Sequence, residues 1–286
     1  MYKIKKVLVV GAGVMGHGIA QIFSQYYKCD VYLLDIKEEF LERGINHIKN
    51  NLEKLVDRGE LEEDEKDNIL HRIRPTTDIK EAYKDVDLMI EAVIEKINVK
   101  KSIFETADKL TPPDAILATN TSSFSITQIA SFTQRPEKVV GMHFFNPAPI
   151  LKLVEIVRGA KTSDETVEIV KEICKVIGKE PVICKKDSPG FIVNRILFPA
   201  LNEAANLVEE DIADPRDIDK AVKLGLNWPM GPIELLDLIG IDTAVEILNS
   251  LSQGLNKSKY KPSPLLVKMA KVGDLGRKTK KGFYKY

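Results

Sequence analysis

The sequence predicts an α/β protein with a doubly wound parallel sheet and a helical insertion, followed by an all-α domain. Two observations predict the first part: short apolar runs alternate with helical periodicity, and the first run leads directly into a glycine-rich turn. A third predicts the second part, because no convincing strand pattern follows residue 187. We therefore expect one domain at residues 1–187 and a second at residues 188–286.

The first 35 residues predict one complete β-α-β unit. Val7–Val10 is an apolar run typical of a buried parallel strand, and the glycine-rich segment Gly11–Gly16 follows it without a gap. Apolar residues at helical spacing come next, and Val31–Leu34 predicts a second strand that ends at Asp35. This order places the N-terminus of a helix at the end of the first strand.

The chain after Asp35 predicts the helical insertion and the rest of the sheet. Residues 37–71 are highly charged and carry apolar side chains on one helical face, which predicts a long amphipathic helix and then a shorter one. The alternation that follows predicts a Rossmann-type doubly wound sheet. Its further strands are expected at Leu88–Ile90, Ala115–Ala118, Lys138–Met142, Leu151–Val157 and Glu180–Cys184.

The C-terminal domain is expected to consist of helices. Pro189 and Gly190 punctuate the boundary, and the apolar spacing of Val193–Val208 then predicts one long helix with further helices behind it. The dense apolar face of that helix indicates either core or a subunit interface. We favour an interface, and hence a homodimer.

Composition and charge exclude several classes of function. The 286 residues carry 42 basic and 42 acidic side chains, which does not indicate a nucleic-acid partner. The apolar run before Gly11 is too short for a signal peptide or a membrane span, so we expect a cytoplasmic protein without a membrane partner. Three cysteines without a CxxC pair predict reduced packing residues and no metal site.

The glycine-rich turn predicts a dinucleotide site. Gly11 permits the tight turn, Gly13 lets backbone amides approach a pyrophosphate, and Gly16 allows the helix to pack closely on the sheet. The residues expected to contact the cofactor here are those of the turn itself: Gly11, Ala12, Gly13, Val14, Met15 and Gly16.

The identity of the dinucleotide is predicted from Asp35. This carboxylate closes the second strand 19 residues after Gly16, a position suited to a hydrogen bond with a ribose 2′-hydroxyl. It would also repel the additional phosphate of NADP, so we expect NAD as the cofactor. The nearby Lys37 leaves NADP open as an alternative.

Five longer segments carry a resemblance to a known family. Together they resemble the short-chain L-3-hydroxyacyl-CoA dehydrogenases, in particular the bacterial members that act on 3-hydroxybutyryl-CoA. The resemblance spans almost the whole chain and implies an NAD-dependent oxidoreductase that reversibly oxidises the C3 alcohol of a short acyl-CoA, with acetoacetyl-CoA as the ketone form. The segments are GAGVMGHGIAQ at 11–21, ATNTSS at 118–123, GMHFFNPAP at 141–149, DSPGFIVNR at 187–195 and GRKTKKGFYKY at 276–286.

A general base is expected at His143. Ser122 and His143 each follow an expected strand, at the edge of the sheet where α/β proteins bind ligands. When a secondary alcohol loses a hydride it also loses its hydroxyl proton, which a neutral imidazole accepts near pH 7. The imidazolium needs a carboxylate partner, and the resemblance assigns that role to Glu155. We expect Ser122 to contact the reacting oxygen, and Asn194 that oxygen or the thioester carbonyl.

The resemblance also implies further ligand contacts. It assigns Glu95, Lys100, Asn146 and Lys278 to NAD, with Ser122 near the nicotinamide. Coenzyme A is expected along the helical insertion, where Lys54 and Arg58 would meet its phosphates.

Two other functions stay open. One is a related dehydrogenase of a free hydroxy acid or sugar acid, against which the basic residues of the insertion argue weakly. The other is a non-catalytic NAD-binding relative, against which the intact set of Ser122, His143, Glu155 and Asn194 argues. The other histidines predict no catalytic role, and His17 is expected to cover the cofactor loop.

Overall fold

The structure, a computed structural model, describes residues 4–286. The chain divides into two compact units, Met1–Asp187 and Ser188–Tyr286. Within the described residues, no helix is both long and apolar enough to cross a membrane.

The first unit is built on an eight-stranded sheet. Its strands lie in the order β3-β2-β1-β4-β5-β6-β7-β8, and the central ones are buried because helices pack on both faces. This arrangement confirms the predicted Rossmann-type fold class. The strands are β1 (Lys6–Val10), β2 (Asp30–Leu34), β3 (Ile73–Thr76), β4 (Leu88–Glu91), β5 (Ile116–Thr119), β6 (Val139–Phe144), β7 (Leu153–Val157) and β8 (Glu180–Cys184).

Seven α-helices accompany these strands in the described part of the first unit. The predicted insertion consists of α2 (Glu38–Asp57) and α3 (Glu63–Arg72), as the periodicity indicated. The first helix, α1 (Val14–Ile22), is continued by a π-helical turn at Phe23–Tyr27. The remaining helices of this unit are α4 (Ile79–Tyr83), α5 (Ile97–Leu110), α6 (Ile126–Ala130) and α7 (Asp164–Val176).

The sheet is parallel, as predicted, except at the pairing of β6 with β7, so that β7 and β8 run opposite to the other six strands. β7 runs antiparallel to β6, whereas β8 runs parallel to β7. The connection between β6 and β7 is the short segment 145–152. A parallel crossover needs about a dozen residues or more, so the chain turns back instead.

One strand of the sheet was not predicted. β3 pairs with β2 at the edge of the sheet and has the sequence Ile-Arg-Pro-Thr. A proline is tolerated at a sheet edge, where its missing amide hydrogen costs no ladder bond. Because of this proline and a charged side chain, the strand contains no apolar run from which it could be predicted.

The second unit is helical, as expected. Short β-bridges join residues 276, 281 and 285 near the C-terminus. The helices are α8 (Val193–Glu209), α9 (Pro215–Leu226), α10 (Pro232–Ile239), α11 (Ile241–Leu255) and α12 (Pro264–Val272).

Part of the apolar face of α8 is core, while the subunit interface that we favoured for this face stays a prediction. Phe198, Leu201, Ala204 and Ala205 are buried within the core of the second unit. α10, α11 and α12 pack against α8 and cover these side chains. An exposed apolar side chain remains at Ile196, which is 70% exposed.

Candidate active site

The glycine-rich turn joins β1 to α1 by close backbone contacts. Gly11 has a φ of +104° and donates its amide hydrogen to the Leu34 carbonyl over 2.7 Å. A Cβ added at Gly11 would lie 2.7 Å from the Ala92 carbonyl oxygen, and one added at Gly16 would lie 1.7 Å from the Gly11 oxygen. Both positions therefore require glycine for packing alone.

Gly13 is different, because no neighbour among the described residues crowds it. Its φ of −68° is ordinary, and a Cβ added there would meet no heavy atom of residues 4–286 within 4 Å. α1 begins at the next residue without a side-chain cap and without an acidic residue in its first turn. The first amide groups of a helix lack intrahelical partners and attract anions. The open space at Gly13 and the uncapped helix end together suit a pyrophosphate.

Asp35 lies beside this turn. Its carboxylate accepts hydrogen bonds from the Ala12 amide and the Ile36 amide, each over 2.7 Å. The side chain expected to read the ribose therefore also braces the loop that would hold the phosphates. Lys37, the source of the NADP alternative, is exposed two residues later, with its ammonium 5.6 Å from the centre of the Phe40 ring.

His17 and His47 join the turn to the helical insertion. The two imidazole rings are stacked with centroids 5.0 Å apart, and His17 Nδ1 lies 2.8 Å from the Gly13 carbonyl oxygen. Burial lowers the pKa of His17 below its usual value. His17 thus covers the turn, as expected, while the stacking on His47 was not predicted.

His143 and Glu155 form a buried acid-base pair. His143 Nδ1 lies 2.7 Å from Glu155 Oε2, and the two residues are 5% and 0% exposed. A carboxylate on Nδ1 fixes the tautomer and stabilises the imidazolium. The pair can therefore accept a proton at the other ring nitrogen, Nε2, and hold the resulting charge.

The strand pairing places these two side chains together. His143 and Glu155 are directly opposite in the antiparallel register of β6 and β7, so their side chains lie on the same face of the sheet. We expected His143 to follow its strand, but it lies within β6, whose pairing with β7 continues to Phe144.

Asn120 joins β6 to the chain that follows β5, and it was not among the predicted site residues. Its side-chain oxygen accepts a hydrogen bond of 2.9 Å from the Phe144 backbone amide, and its own backbone amide donates to the Glu91 carbonyl. Asn120 therefore joins the strand that carries His143 to the loop that carries Ser122. Its signal in the sequence was a polar side chain directly after the run of β5.

Ser122, Glu95 and Lys100 lie together after the ends of β4 and β5. Glu95 Oε1 accepts hydrogen bonds from the Ser122 amide at 2.8 Å and from the Thr121 hydroxyl at 2.9 Å. Lys100 is 1% exposed, and its ammonium lies 2.7 Å from Glu91 and 3.1 Å from Glu95. Lys100, which the resemblance assigns to NAD, is thus buried and contacts the more exposed Glu95.

Asn146 and the predicted coenzyme A residues are exposed. Asn146 follows β6 and precedes Pro147 in a cis peptide bond. Lys54 and Arg58 are four residues apart at the C-terminal end of α2, and neither forms an ion pair with another described residue. α2 begins at Glu38, shortly after Asp35, so Lys54 and Arg58 lie about 24 Å and about 30 Å along the helix from its first residue.

The second unit holds the two remaining predicted residues. Asn194 is the second residue of α8 and is 7% exposed. Lys278 lies in the C-terminal tail, and its ammonium is 2.5 Å from the carboxylate of Asp242.

Both units match models of one protein family. Residues 6–188 match the NAD binding domain of 3-hydroxyacyl-CoA dehydrogenase, and residues 190–286 match its C-terminal domain. The chain belongs to the 3-hydroxyacyl-CoA dehydrogenase family. The predicted family and the predicted NAD cofactor are thereby confirmed.

Curated relatives of this family are similar over nearly their whole length. A Deinococcus radiodurans protein named "Probable 3-hydroxybutyryl-CoA dehydrogenase" is 49% identical, with 97% of this chain and 99% of the relative covered. A Clostridioides difficile 3-hydroxybutyryl-CoA dehydrogenase is 47% identical, with 98% and 99% covered.

The fold agrees with a crystal structure of the same family. The (S)-3-hydroxybutyryl-CoA dehydrogenase PaaH1 from Ralstonia eutropha superposes with a TM-score of 0.95 at 41% identity, with 99% of each chain covered. The present chain thus shares its fold with this dehydrogenase over nearly the whole length of both chains.

Proposed function

We propose that the chain is an NAD-dependent (S)-3-hydroxybutyryl-CoA dehydrogenase that interconverts this alcohol and acetoacetyl-CoA. The observation that carries the proposal is the buried His143–Glu155 pair, with 2.7 Å between Nδ1 and Oε2. A hydroxyl that loses a hydride from its carbon needs a base of this kind. Family membership and the similar 3-hydroxybutyryl-CoA dehydrogenases support the choice of substrate.

The residues of the first unit fit an NAD molecule. Gly13 leaves open space at an uncapped helix end, and the Asp35 carboxylate lies beside the same turn. When bound, NAD supplies the hydride acceptor for oxidation of the alcohol. The residues assigned to it are Gly11, Ala12, Gly13, Val14, Met15, Gly16, Asp35, Glu95, Lys100, Ser122, Asn146 and Lys278.

His143 moves the proton in this proposal. Its Nε2 takes the proton of the C3 hydroxyl during oxidation and returns it to the ketone oxygen during reduction. Glu155 keeps the imidazole in the required tautomer and balances its charge when it is protonated. Burial of the pair strengthens that interaction, because little water screens it.

Ser122 and Asn194 orient the substrate in this proposal. The hydroxyl of Ser122 hydrogen-bonds the reacting oxygen, while Asn194 binds that oxygen or the thioester carbonyl. Lys54 and Arg58 attract the phosphates of coenzyme A, which their exposure and lack of ion pairs among the described residues support.

We also propose a role for each of the two domains and a dimeric assembly of the chain. Residues 1–187 supply all of the assigned NAD contacts except Lys278, and residues 188–286 serve substrate binding and a cytoplasmic homodimer. Ile196 (70%) and Leu224 (77%) are exposed apolar side chains of the helical unit, which self-association would cover. Sedimentation equilibrium checks this assembly, and a monomer mass at micromolar concentration would contradict it.

One assay distinguishes the candidate functions. Purified protein is mixed with NADH and either acetoacetyl-CoA or free acetoacetate, and the loss of absorbance at about 340 nm is followed. We expect turnover of the thioester and little turnover of the free acid. Turnover of acetoacetate alone would favour the hydroxy-acid dehydrogenase, and NADH binding without any turnover would favour a non-catalytic relative.

A further inference from the structure

Glu91 is a buried carboxylate that the proposed mechanism does not use. It is the last residue of β4 and is 0% exposed. Its Oε1 accepts hydrogen bonds from Lys100 Nζ at 2.7 Å and from the Val93 amide at 2.8 Å, and its Oε2 accepts one from the Thr119 hydroxyl at 2.6 Å. Such a carboxylate is costly to bury, and every one of these bonds offsets that cost.

Two chains of contacts lead from Glu91 to the loop that carries Ser122. In the first, the Thr119 hydroxyl that donates to Glu91 accepts a hydrogen bond of 3.1 Å from the Thr121 amide. In the second, Lys100 Nζ lies 3.1 Å from Glu95 Oε2. Glu95 in turn holds the Thr121 hydroxyl and the Ser122 amide.

These contacts close into a ring. It runs from Glu91 through Thr119, Thr121, Glu95 and Lys100 back to Glu91. Four members are almost fully buried, while the side chain of Glu95 is 38% exposed. The ring holds two acidic side chains and one lysine, and Glu95 is its member nearest solvent. Because closed networks are cooperative, loss of one member weakens the hold on all the others.

We propose that Glu91 is a positioning residue, which fixes Ser122 for the reaction through this ring. Glu91 holds the Ser122 loop at two points, through Thr119 on one side and through Lys100 and Glu95 on the other. The backbone of Ser122 is then set before any ligand arrives. The role in catalysis rests on the proposed function, since it requires Ser122 to contact the reacting oxygen.

A double-mutant cycle tests whether Glu91 acts through Ser122. In Glu91→Gln, an amide nitrogen replaces one acceptor oxygen, and Lys100 keeps only one of its two carboxylate partners, Glu95. We expect kcat with acetoacetyl-CoA and NADH to fall about 10- to 100-fold, the range for loss of precise positioning. In a Ser122→Ala background the same change should lower kcat by less than about threefold, because the positioned hydroxyl is already absent. Equal losses in both backgrounds would overturn the proposal.

Hydrogen exchange tests the ring without reference to activity. The amides of Thr121 and Ser122 donate into the ring, so Glu91→Gln should make them exchange about tenfold faster, the factor for loss of roughly one hydrogen bond. Unchanged exchange would contradict the ring. If the parent enzyme does not turn over acetoacetyl-CoA, the proposed function fails while this measurement still decides whether Glu91 orders the loop.

Two further variants accompany Glu91→Gln in these measurements. Asp108→Asn is the matched control, because Asp108 lies on the same helix as Lys100 and pairs with Arg135 at 3.0 Å, with both side chains 13% exposed. It should lower thermal stability without changing kcat or exchange at Thr121 and Ser122.

If Glu91→Gln does not fold, Thr119→Val takes its place in the test. The substitution removes the hydroxyl that donates to Glu91, at a residue that is 0% exposed, and valine has nearly the same shape as threonine. It should show the same pattern, and exchange at the parent rate in Thr119→Val would overturn the proposal.

Discussion

His143 on β6 lies directly opposite Glu155 on the antiparallel strand β7, with His143 Nδ1 2.7 Å from Glu155 Oε2. Backbone hydrogen bonds between the two strands hold both Cα atoms, so the geometry of the pair does not depend on a mobile loop. Neither residue is more than 5% exposed. A base built in this way is already oriented in the protein without ligands, which lowers the cost of reaching the reactive geometry.

Replacement of the base should abolish most of the turnover. His143→Gln removes the proton acceptor but leaves the glycine-rich turn untouched, so kcat should fall about 10²- to 10⁴-fold with NADH affinity unchanged. Steady-state kinetics and a titration of NADH fluorescence measure the two effects. A variant with normal turnover would remove His143 from the mechanism.

Replacement of the carboxylate should affect the tautomer of the base. In Glu155→Gln the amide can donate to Nδ1, which moves the ring proton to Nε2 and prevents that atom from accepting another. We expect kcat to fall about 10²- to 10⁴-fold, as for the corresponding change in hydrolase triads. Glu165→Gln, at a surface ion pair whose carboxylate is 72% exposed, is the control and should change kcat by less than about twofold. Equal kinetics of the two variants would contradict a role for Glu155.

Two glycines of the turn should respond differently to alanine. At Gly13 a Cβ meets nothing within 4 Å and φ is −68°, so Gly13→Ala should retain or slightly raise thermal stability while weakening NADH binding at least about tenfold. At Gly16 a Cβ would lie 1.7 Å from a backbone oxygen, so Gly16→Ala should also lower stability, by about 1 to 3 kcal/mol or more. Thermal melts and NADH titrations separate the cases. Tight NADH binding by Gly13→Ala would contradict the pyrophosphate site.

The preference for NAD should depend on the charge of Asp35. Asp35→Ser removes a carboxylate next to the expected 2′-position, so kcat/KM with NADPH relative to NADH should rise about tenfold or more. Repulsion between unit charges at such distances is worth about 1 to 4 kcal/mol. Asp35→Asn keeps an acceptor for the Ala12 amide and separates the loss of charge from the loss of that bond. An unchanged ratio in both variants would mean that Asp35 does not contact the ribose.

The stability of the enzyme should depend on pH through His17. Burial lowers the pKa of His17 in the folded protein, so the unfolded chain binds this proton more readily. Stability is therefore lost as the pH falls from the unfolded pKa of about 6.5 towards the lower folded value. His17→Phe keeps an aromatic ring against His47 and should lose less melting temperature than the parent between about pH 7.5 and 5.5. Equal decreases in the two proteins would contradict this assignment.

Local patterns account for most of the fold that could be predicted. Buried parallel strands such as β1 and β4 are runs of apolar residues, and the helices of the insertion repeat apolar residues on one face. The edge strand β3 could not be found in this way, because Arg74 and Pro75 interrupt its apolar pattern.

Long-range packing decided where several predicted residues lie. Lys100 carries the sequence pattern of an ordinary helical lysine, yet its ammonium is buried between Glu91 and Glu95. The apolar face of α8 is compatible with an interface or a core, and the helices packed on it make Leu201 and Ala204 core. These outcomes depend on neighbours that are distant in the sequence.

The sequence by itself determined the fold class, the turn that suits a dinucleotide, and the chemical groups available for proton transfer. These properties follow from short-range periodicity, from the backbone freedom of glycine and from side-chain chemistry. The tertiary structure alone decided that β7 turns back on β6 and so brings Glu155 to His143 across 12 positions of sequence. It also decided that a ring anchored on Glu91 underlies Ser122. Strand direction and register are set by connection length and by the burial of whole faces, which no local pattern specifies.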